Sequence, residues 1–186
     1  MNHCPINQKI SKPSFIKVKN LRSIYRGNDY KRDLEILIYR YETLNLVARG
    51  SMQISASNRI FKRRENEGFT VECFASPFNC HLPIYFSAFP DTDVVFGSMG
   101  SFFDTGYDFL SKNTYKCAVD PPYQIHAIGK AIDIVRKLNH GTYEFILPAW
   151  TDAEWFKYLP HPKIIYSNIY DSSYTPCDSI IDIIEY

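Results

Sequence analysis

No apolar run in this chain approaches the length needed to cross a bilayer. Residues 1–12 lack the apolar core of a secretory signal. The expectation is an intracellular protein, nuclear or cytoplasmic, and not a secreted one. Cysteine is sparse and badly spaced. There are five (Cys4, Cys73, Cys80, Cys117 and Cys177), an odd number with no Cys-x-x-Cys pair. That argues against both a disulfide framework and a zinc knuckle, and the thiols are expected to be mostly buried. His3, His81, His126, His140 and His161 show no ligand spacing, so no metal is expected. Glycine is also scarce, at 8 residues, and no glycine-rich loop follows the first strand-like segment.

What is present is aromatic. The 186 residues are 45% hydrophobic and 16% aromatic, a globular composition long enough for one domain with a sizeable core. Net charge is only +1 but unevenly spread. Residues 9–32 hold eight Lys or Arg against Asp29 alone, and Arg59, Lys62, Arg63 and Arg64 form a second basic group. From Glu144 to the end, seven acids face Lys157 and Lys163. A basic half interleaved with Tyr25 and Tyr30 suits a polyanion such as nucleic acid; the alternative is a solvated face or a basic tail.

Residues 1–28 read as an arm or loosely packed extension. Leu34, Leu37, Ile38, Tyr41, Leu44 and Leu46 predict a helix over 29–47, closed by Gly50 and Ser51. A basic helix follows over 57–67. On it Arg59, Arg63 and Arg64 either contact phosphates or form a solvated face. Strands are expected at 69–75, 94–96, 115–119, 142–147, 163–168 and 179–185. Segment 81–89 is expected to pack on the sheet as an aromatic stretch. Helices are expected at 125–138, stopped by Asn139-His140-Gly141, and at 153–159. Alternating strands and helices that close on strands indicate α/β, with a mostly parallel sheet and an antiparallel end. The division is a basic arm and helical extension over 1–67 and a core over 68–186.

The stretch 115–123 organises this arrangement. Pro121 and Pro122 cannot continue a ladder, so the strand ends at Asp120, at the carboxyl edge where open α/β sheets bind ligands. Asp120, Pro121, Pro122 and Tyr123 suit methyl transfer to a planar nitrogen. The amine of adenine is a poor nucleophile because its lone pair is delocalised into the ring. Asp120 and the Pro121 carbonyl would accept its two N–H groups and draw the nitrogen towards sp³ geometry, while Tyr123 stacks on the base. The alternative is a strand-ending Asp-Pro turn. Trp150, after the next strand, would border the substrate or pack as a core or lid aromatic. Glu72 would meet the amino-acid end of a cofactor or hydrogen-bond a loop N–H. Asp91, Asp93 and Asp104 would receive ribose hydroxyls or act as turn residues. Phe102 and Phe103 would flank a cofactor's adenine or pack in the core.

Three blocks resemble one family. Glu72-Cys73-Phe74-Ala75-Ser76-Pro77-Phe78-Asn79, Phe86-Ser87-Ala88-Phe89-Pro90-Asp91-Thr92-Asp93 and Phe96-Gly97-Ser98 look like the catalytic domain of the phosphorylated-CTD-interacting-factor family. Its members are cap-specific adenosine N6-methyltransferases. The resemblance runs from about Leu34 to the end and includes Asp120 to Tyr123 and Leu147-Pro148-Ala149-Trp150. It implies a Rossmann-like S-adenosylmethionine-dependent methyltransferase fold with a small N-terminal basic and helical extension. It implies that the glycine-free loop of Cys73, Phe74, Ala75, Ser76, Pro77 and Asn79 does the cofactor work; Glu72, Phe103 and Asp120 join it as candidate cofactor contacts. It implies an RNA substrate, the cap-adjacent adenosine of mRNA, and a helical region before the sheet that helps hold RNA; the candidate substrate contacts are Tyr123, Trp150, Arg59, Arg63 and Arg64. The family's usual quartet begins with Asn and ends with Phe. Asp120 and Tyr123 depart from it, leaving room for DNA or internal RNA as substrate, for a catalytically silent nucleic-acid-binding subunit and for a partner subunit. No metal and no membrane are expected.

Overall fold

Four parallel strands form the centre of the molecule: β1 (Val71–Ala75), β2 (Ile84–Ser87), β3 (Lys116–Val119) and β4 (Thr142–Pro148). β5 (Lys163–Ile165) and β6 (Ser179–Glu185) complete a six-stranded sheet in the order β2-β1-β3-β4-β6-β5, with β6 antiparallel to both of its neighbours. The expected α/β chain, with a mostly parallel sheet and an antiparallel end, agrees with this order. The computed structural model describes residues 21–47, 56–165 and 179–186. Much of the basic arm, the helix stop at Gly50 and Ser51, and residues 166–168 of the expected strand over 163–168 lie outside the described residues, as do His3, Cys4 and Cys177.

The chain leaves β1 for β2 on one side and then returns to β3 on the other. The strand order therefore reverses between β1 and β3. Their carboxyl ends carry loops 76–83 and 120–124 beside one another, the position where open α/β sheets bind ligands.

Among the described residues the helices include α1 (Tyr30–Val47), α2 (Asn58–Asn66), the short α3 (Pro90–Asp93), α4 (Phe102–Leu110) and α5 (Ile125–Leu138). The two-residue period of the strands sorts their side chains to opposite faces. Val71, Cys73, Cys117, Val119, Tyr143, Phe145 and Leu147 pack with Phe102 and Leu110 of α4 and with Ile128, Ala131, Ile132, Val135 and Leu138 of α5. Ala118 and Ile146, from the other face, pack with Ile60 and Phe61 of α2 and with Phe69 and Leu82. α1 sits apart from both, with Leu37 and Tyr41 against Phe96, Phe78 and Phe89.

Several segments differ from expectation. Val94–Phe96 is not a strand but a 3₁₀ turn that continues α3. Pro90 starts the helical turn, and Gly97 ends it at φ 97°, which overrides the β-branched preference of two valines. Ile84–Ser87, expected only as packing, is the edge strand β2. α4 lies in a stretch whose glycines suggest loops, although Phe102, Phe103, Phe109 and Leu110 recur at helical spacing. Gly106 is needed there, because a Cβ would lie 2.5 Å from the Phe102 ring. The helix expected over 153–159 is reduced to turns and the 3₁₀ segment Phe156–Tyr158.

Asp93 is fully buried at the end of α3 and accepts a hydrogen bond from the Tyr41 hydroxyl at 2.6 Å. Thr92 Oγ1 donates to its other oxygen at 3.1 Å. This contact ties α1 to the segment after β2, and burial raises the Asp93 carboxyl above its ordinary value. Tyr41→Phe is expected to lower stability by about 1–3 kcal/mol, since it removes a donor from a buried acceptor. A urea midpoint unchanged from wild type would show that the bond contributes nothing.

Candidate functional site

The face of the sheet that meets α2 carries three carboxylates. Glu72 on β1 is level with Ala118 on β3, and Ala118 is level with Glu144 on β4. Asp120 follows two residues beyond Ala118, so the strand period puts it on the same side. Ala118, between the two glutamates, has only a methyl group, and this lets a long side chain from α2 reach across.

Arg64 is that side chain, and none of it is exposed. Its Nη1 donates to Asp120 Oδ2 at 2.7 Å and its Nη2 to Oδ1 at 2.8 Å. Its Nε donates to Glu144 Oε1 at 2.7 Å. Arg63 Nη2 reaches Glu144 as well, at 2.8 Å from Oε1 and 2.6 Å from Oε2. Two guanidinium groups and two carboxylates thus form a hydrogen-bonded set. Burial works against the charge on Arg64, but Asp120 and then Glu144 outweigh it and hold the guanidinium above its ordinary value. The Arg64 guanidinium also lies 5.2 Å from the centre of the Phe61 ring, and Phe61 stacks on His81 at 4.1 Å.

Arg64, expected to contact phosphates or to lie on a solvated face, is fully buried, with three of its five N–H groups bonded to carboxylates. Arg63 is half-buried and committed to Glu144 and Glu67. Arg59 remains exposed on the outer side of α2. Sequence reasoning missed Glu144. An acid in the middle of an apolar strand, Thr142–Pro148, was the available signal.

The quartet lies at the carboxyl end of β3. The Asp120 side chain is 23% exposed, Pro121 is buried, and Pro122 and Tyr123 are half-buried. The Gln124 N–H donates to the Pro122 carbonyl at 2.7 Å. Tyr123 meets Trp150 edge-on at 6.3 Å, and its hydroxyl lies 3.3 Å from Ser179 Oγ. The structure therefore brings Asp120, Tyr123 and Trp150 to one edge.

The loop after β1 holds its shape without glycine. Glu72 Oε2 accepts the backbone N–H groups of His81 at 2.6 Å and Leu82 at 2.9 Å, so this carboxylate is bonded to loop N–H groups. Asn79 Oδ1 accepts the Ser76 N–H at 2.6 Å and its hydroxyl at 2.9 Å. Pro77 is buried and Ala75 half-buried. Cys73 points into the core at 1% exposure, where burial raises its thiol well above the ordinary value. Phe74 packs on Phe102 and Phe103, and Lys130 lies 4.8 Å from the centre of the Phe103 ring. Asp91 pairs with Arg40 at the surface, and Asp93 is buried under Tyr41. No group of His, Cys, Asp and Glu suited to a metal occurs among the described residues. No described helix is long and apolar enough to cross a membrane.

Residues 19–164, which include the first four strands, match the family model described as "Phosphorylated CTD interacting factor 1 WW domain". The chain belongs to this family. Two proteins share a shorter stretch with it. The human and mouse proteins named "mRNA (2'-O-methyladenosine-N(6)-)-methyltransferase" are each 60% identical over 37 residues. That stretch is 20% of this chain and 5% of each relative.

Burial pushes the Glu72 carboxyl up to about 7, against the lowering effect of its two N–H donors. The folded protein thus holds this proton to higher pH than the unfolded chain. The contribution is most favourable below the ordinary glutamate range and is lost as pH rises towards about 7. Wild type is expected to lose on the order of 3 kcal/mol from this group across that window, at about 1.36 kcal/mol per unit. Glu72→Gln keeps an acceptor for the loop and should lack this loss. Urea unfolding of both proteins at pH 5 and pH 8 checks this, and an equal change in stability for the two would contradict the assignment.

Proposed function

We propose that this chain is an S-adenosylmethionine-dependent adenine N6-methyltransferase with a Rossmann-like fold. We propose that it acts on RNA, at the adenosine beside an mRNA cap. One observation carries the reading: a partly exposed Asp120 carboxylate and the Tyr123 ring stand together at the point where the strand order reverses. The printed name of the human and mouse relatives supports the same chemistry.

The cofactor's fit rests on position. Loops 76–83 and 120–124 share the edge between β1 and β3, and Phe103 is half-buried with a cation over its ring. The contacts fall to the loop backbone around Ala75 to Asn79 and to Phe103, since Glu72 holds the loop and Cys73 faces the core. S-adenosylmethionine held there would supply an electrophilic methyl group to the N6 lone pair and would leave as a neutral thioether, with the displaced amine proton going to water.

The chain's own residues do the rest. Asp120 accepts one amine N–H and the Pro121 carbonyl accepts the other. This localises the lone pair and aims it. Tyr123 stacks on the base, with Trp150 at its edge, an interaction worth ~1–3 kcal/mol per base. The adenine must be unpaired or flipped out, because a duplex occupies its amine. A cap-adjacent nucleotide is already free. Exposed Arg59 and Lys62 on α2 supply positive charge for the RNA backbone.

The test is methyl transfer from labelled S-adenosylmethionine to three matched RNAs, cap-adenosine, cap-guanosine and uncapped, with nucleoside analysis of each product. The expected result is N6-methyladenosine confined to the capped adenosine, abolished by Asp120→Ala; because that variant strands buried Arg64, Asp120→Ala with Arg64→Met, its fold checked by circular dichroism, should be equally inactive. Transfer to every adenosine-containing RNA would remove cap reading. Transfer only to DNA would change the substrate class. Full activity of Asp120→Ala would overturn the mechanism.

A further inference from the structure

Asp120 does not stand alone at the sheet edge. Both of its oxygens are held from below by the two terminal nitrogens of Arg64, at 2.7 and 2.8 Å. Such a fork-on-fork pair fixes the plane of a carboxylate as well as its position. Arg64 cannot drift, because its Nε is bonded to Glu144 and the whole side chain is buried. Arg63 in turn holds Glu144. The pair occupies the inward side of the Asp120 carboxylate, and the 23% of the side chain left exposed is its outward side. A carboxylate has about four acceptor positions, so those facing outward remain for a donor that arrives at the edge.

We infer that Arg64 is a positioning residue for the methyl transfer proposed above: it sets the carboxylate plane of Asp120 and thereby the outward acceptor positions that receive the amine of the target base. The inference rests on that reading of the site. It has a consequence for residue 120 itself. An amide there would turn its NH₂ group towards an Arg64 N–H, donor against donor, and could not hold the same plane. With Arg64 below it, the position requires an acid.

The experiment is steady-state kinetics of the full chain on capped-adenosine RNA, with cofactor affinity by calorimetry and fold by circular dichroism. Arg64→Lys keeps the charge but replaces the planar fork with a single ammonium group. Its kcat is expected to fall about 10- to 100-fold, the scale of a misplaced reacting group. KM for RNA and the cofactor dissociation constant should stay within about twofold, since neither ligand touches Arg64. Asp120→Asn should lose at least as much, and adding Arg64→Met to it should recover about tenfold by removing the opposing donor. An increase in RNA KM at unchanged kcat in Arg64→Lys would make Arg64 a binding residue and overturn the inference. Unchanged kinetics in Arg64→Lys, or full activity in Asp120→Asn, would also overturn it while leaving the methyltransferase reading intact. Absence of transfer by the unmodified chain to any adenosine substrate would remove that reading, and the positioning role with it.

Discussion

A guanidinium shut away from water must find its counter-charges inside the protein, and Arg64 finds them at the end of one strand and in the middle of another. Breaking a buried pair of this kind typically costs about 3–5 kcal/mol, because the surviving charge is left without compensation. The arrangement is therefore close to all-or-none. α2, the end of β3 and the middle of β4 keep their relative positions or the charges are stranded. Arg63 adds a second cation to Glu144, so that a fully buried carboxylate is bonded from two sides.

That constraint is possible because the sheet has two unlike faces. One is apolar and packs under α4 and α5. The other carries Glu72, Glu144 and Asp120 around Ala118, under α2. Parallel strands buried on both sides usually read as continuous hydrophobic runs. The acids here break those runs at positions the register brings level. The three carboxylates act on different neighbours. Glu72 takes two loop N–H groups, Glu144 anchors the arginines, and Asp120 meets the exposed edge. The loop after β1, which has no glycine, is thus held by a carboxylate and by the Ser76–Asn79 contact.

Family membership and edge geometry bear on function in different ways. The match over residues 19–164 relates most of the sheet and its helices to one family. The named methyltransferases share only a 37-residue stretch. What the molecule adds is chemical. An acceptor with a fixed plane, two consecutive prolines that stop the strand, and an aromatic pair stand together where strand order reverses. A chain held in this way has little freedom left at residue 120, which is what the proposed methyl transfer would call for.

The sequence by itself determined the α/β class, the helices around 30–47, 58–66 and 125–138, and the end of β3 at two prolines. Hydrophobic period and proline chemistry are local properties, readable a few residues at a time. It also pointed to Asp120, Tyr123 and Trp150, because the strand ends that carry them are marked by proline. Local signals misled where glycines suggested a loop at α4, although its apolar residues recur at helical spacing, at the short aromatic β2, and where Pro90 and Gly97 outvoted Val94 and Val95. The role of Arg64 was decided only by the tertiary structure. Helical period puts Arg64, alone of the four clustered basic residues, on the face of Ile60 and Phe61, but nothing local shows the carboxylates it meets there. Its partners lie 56 and 80 residues away, and only strand order and register bring Asp120 and Glu144 beneath α2.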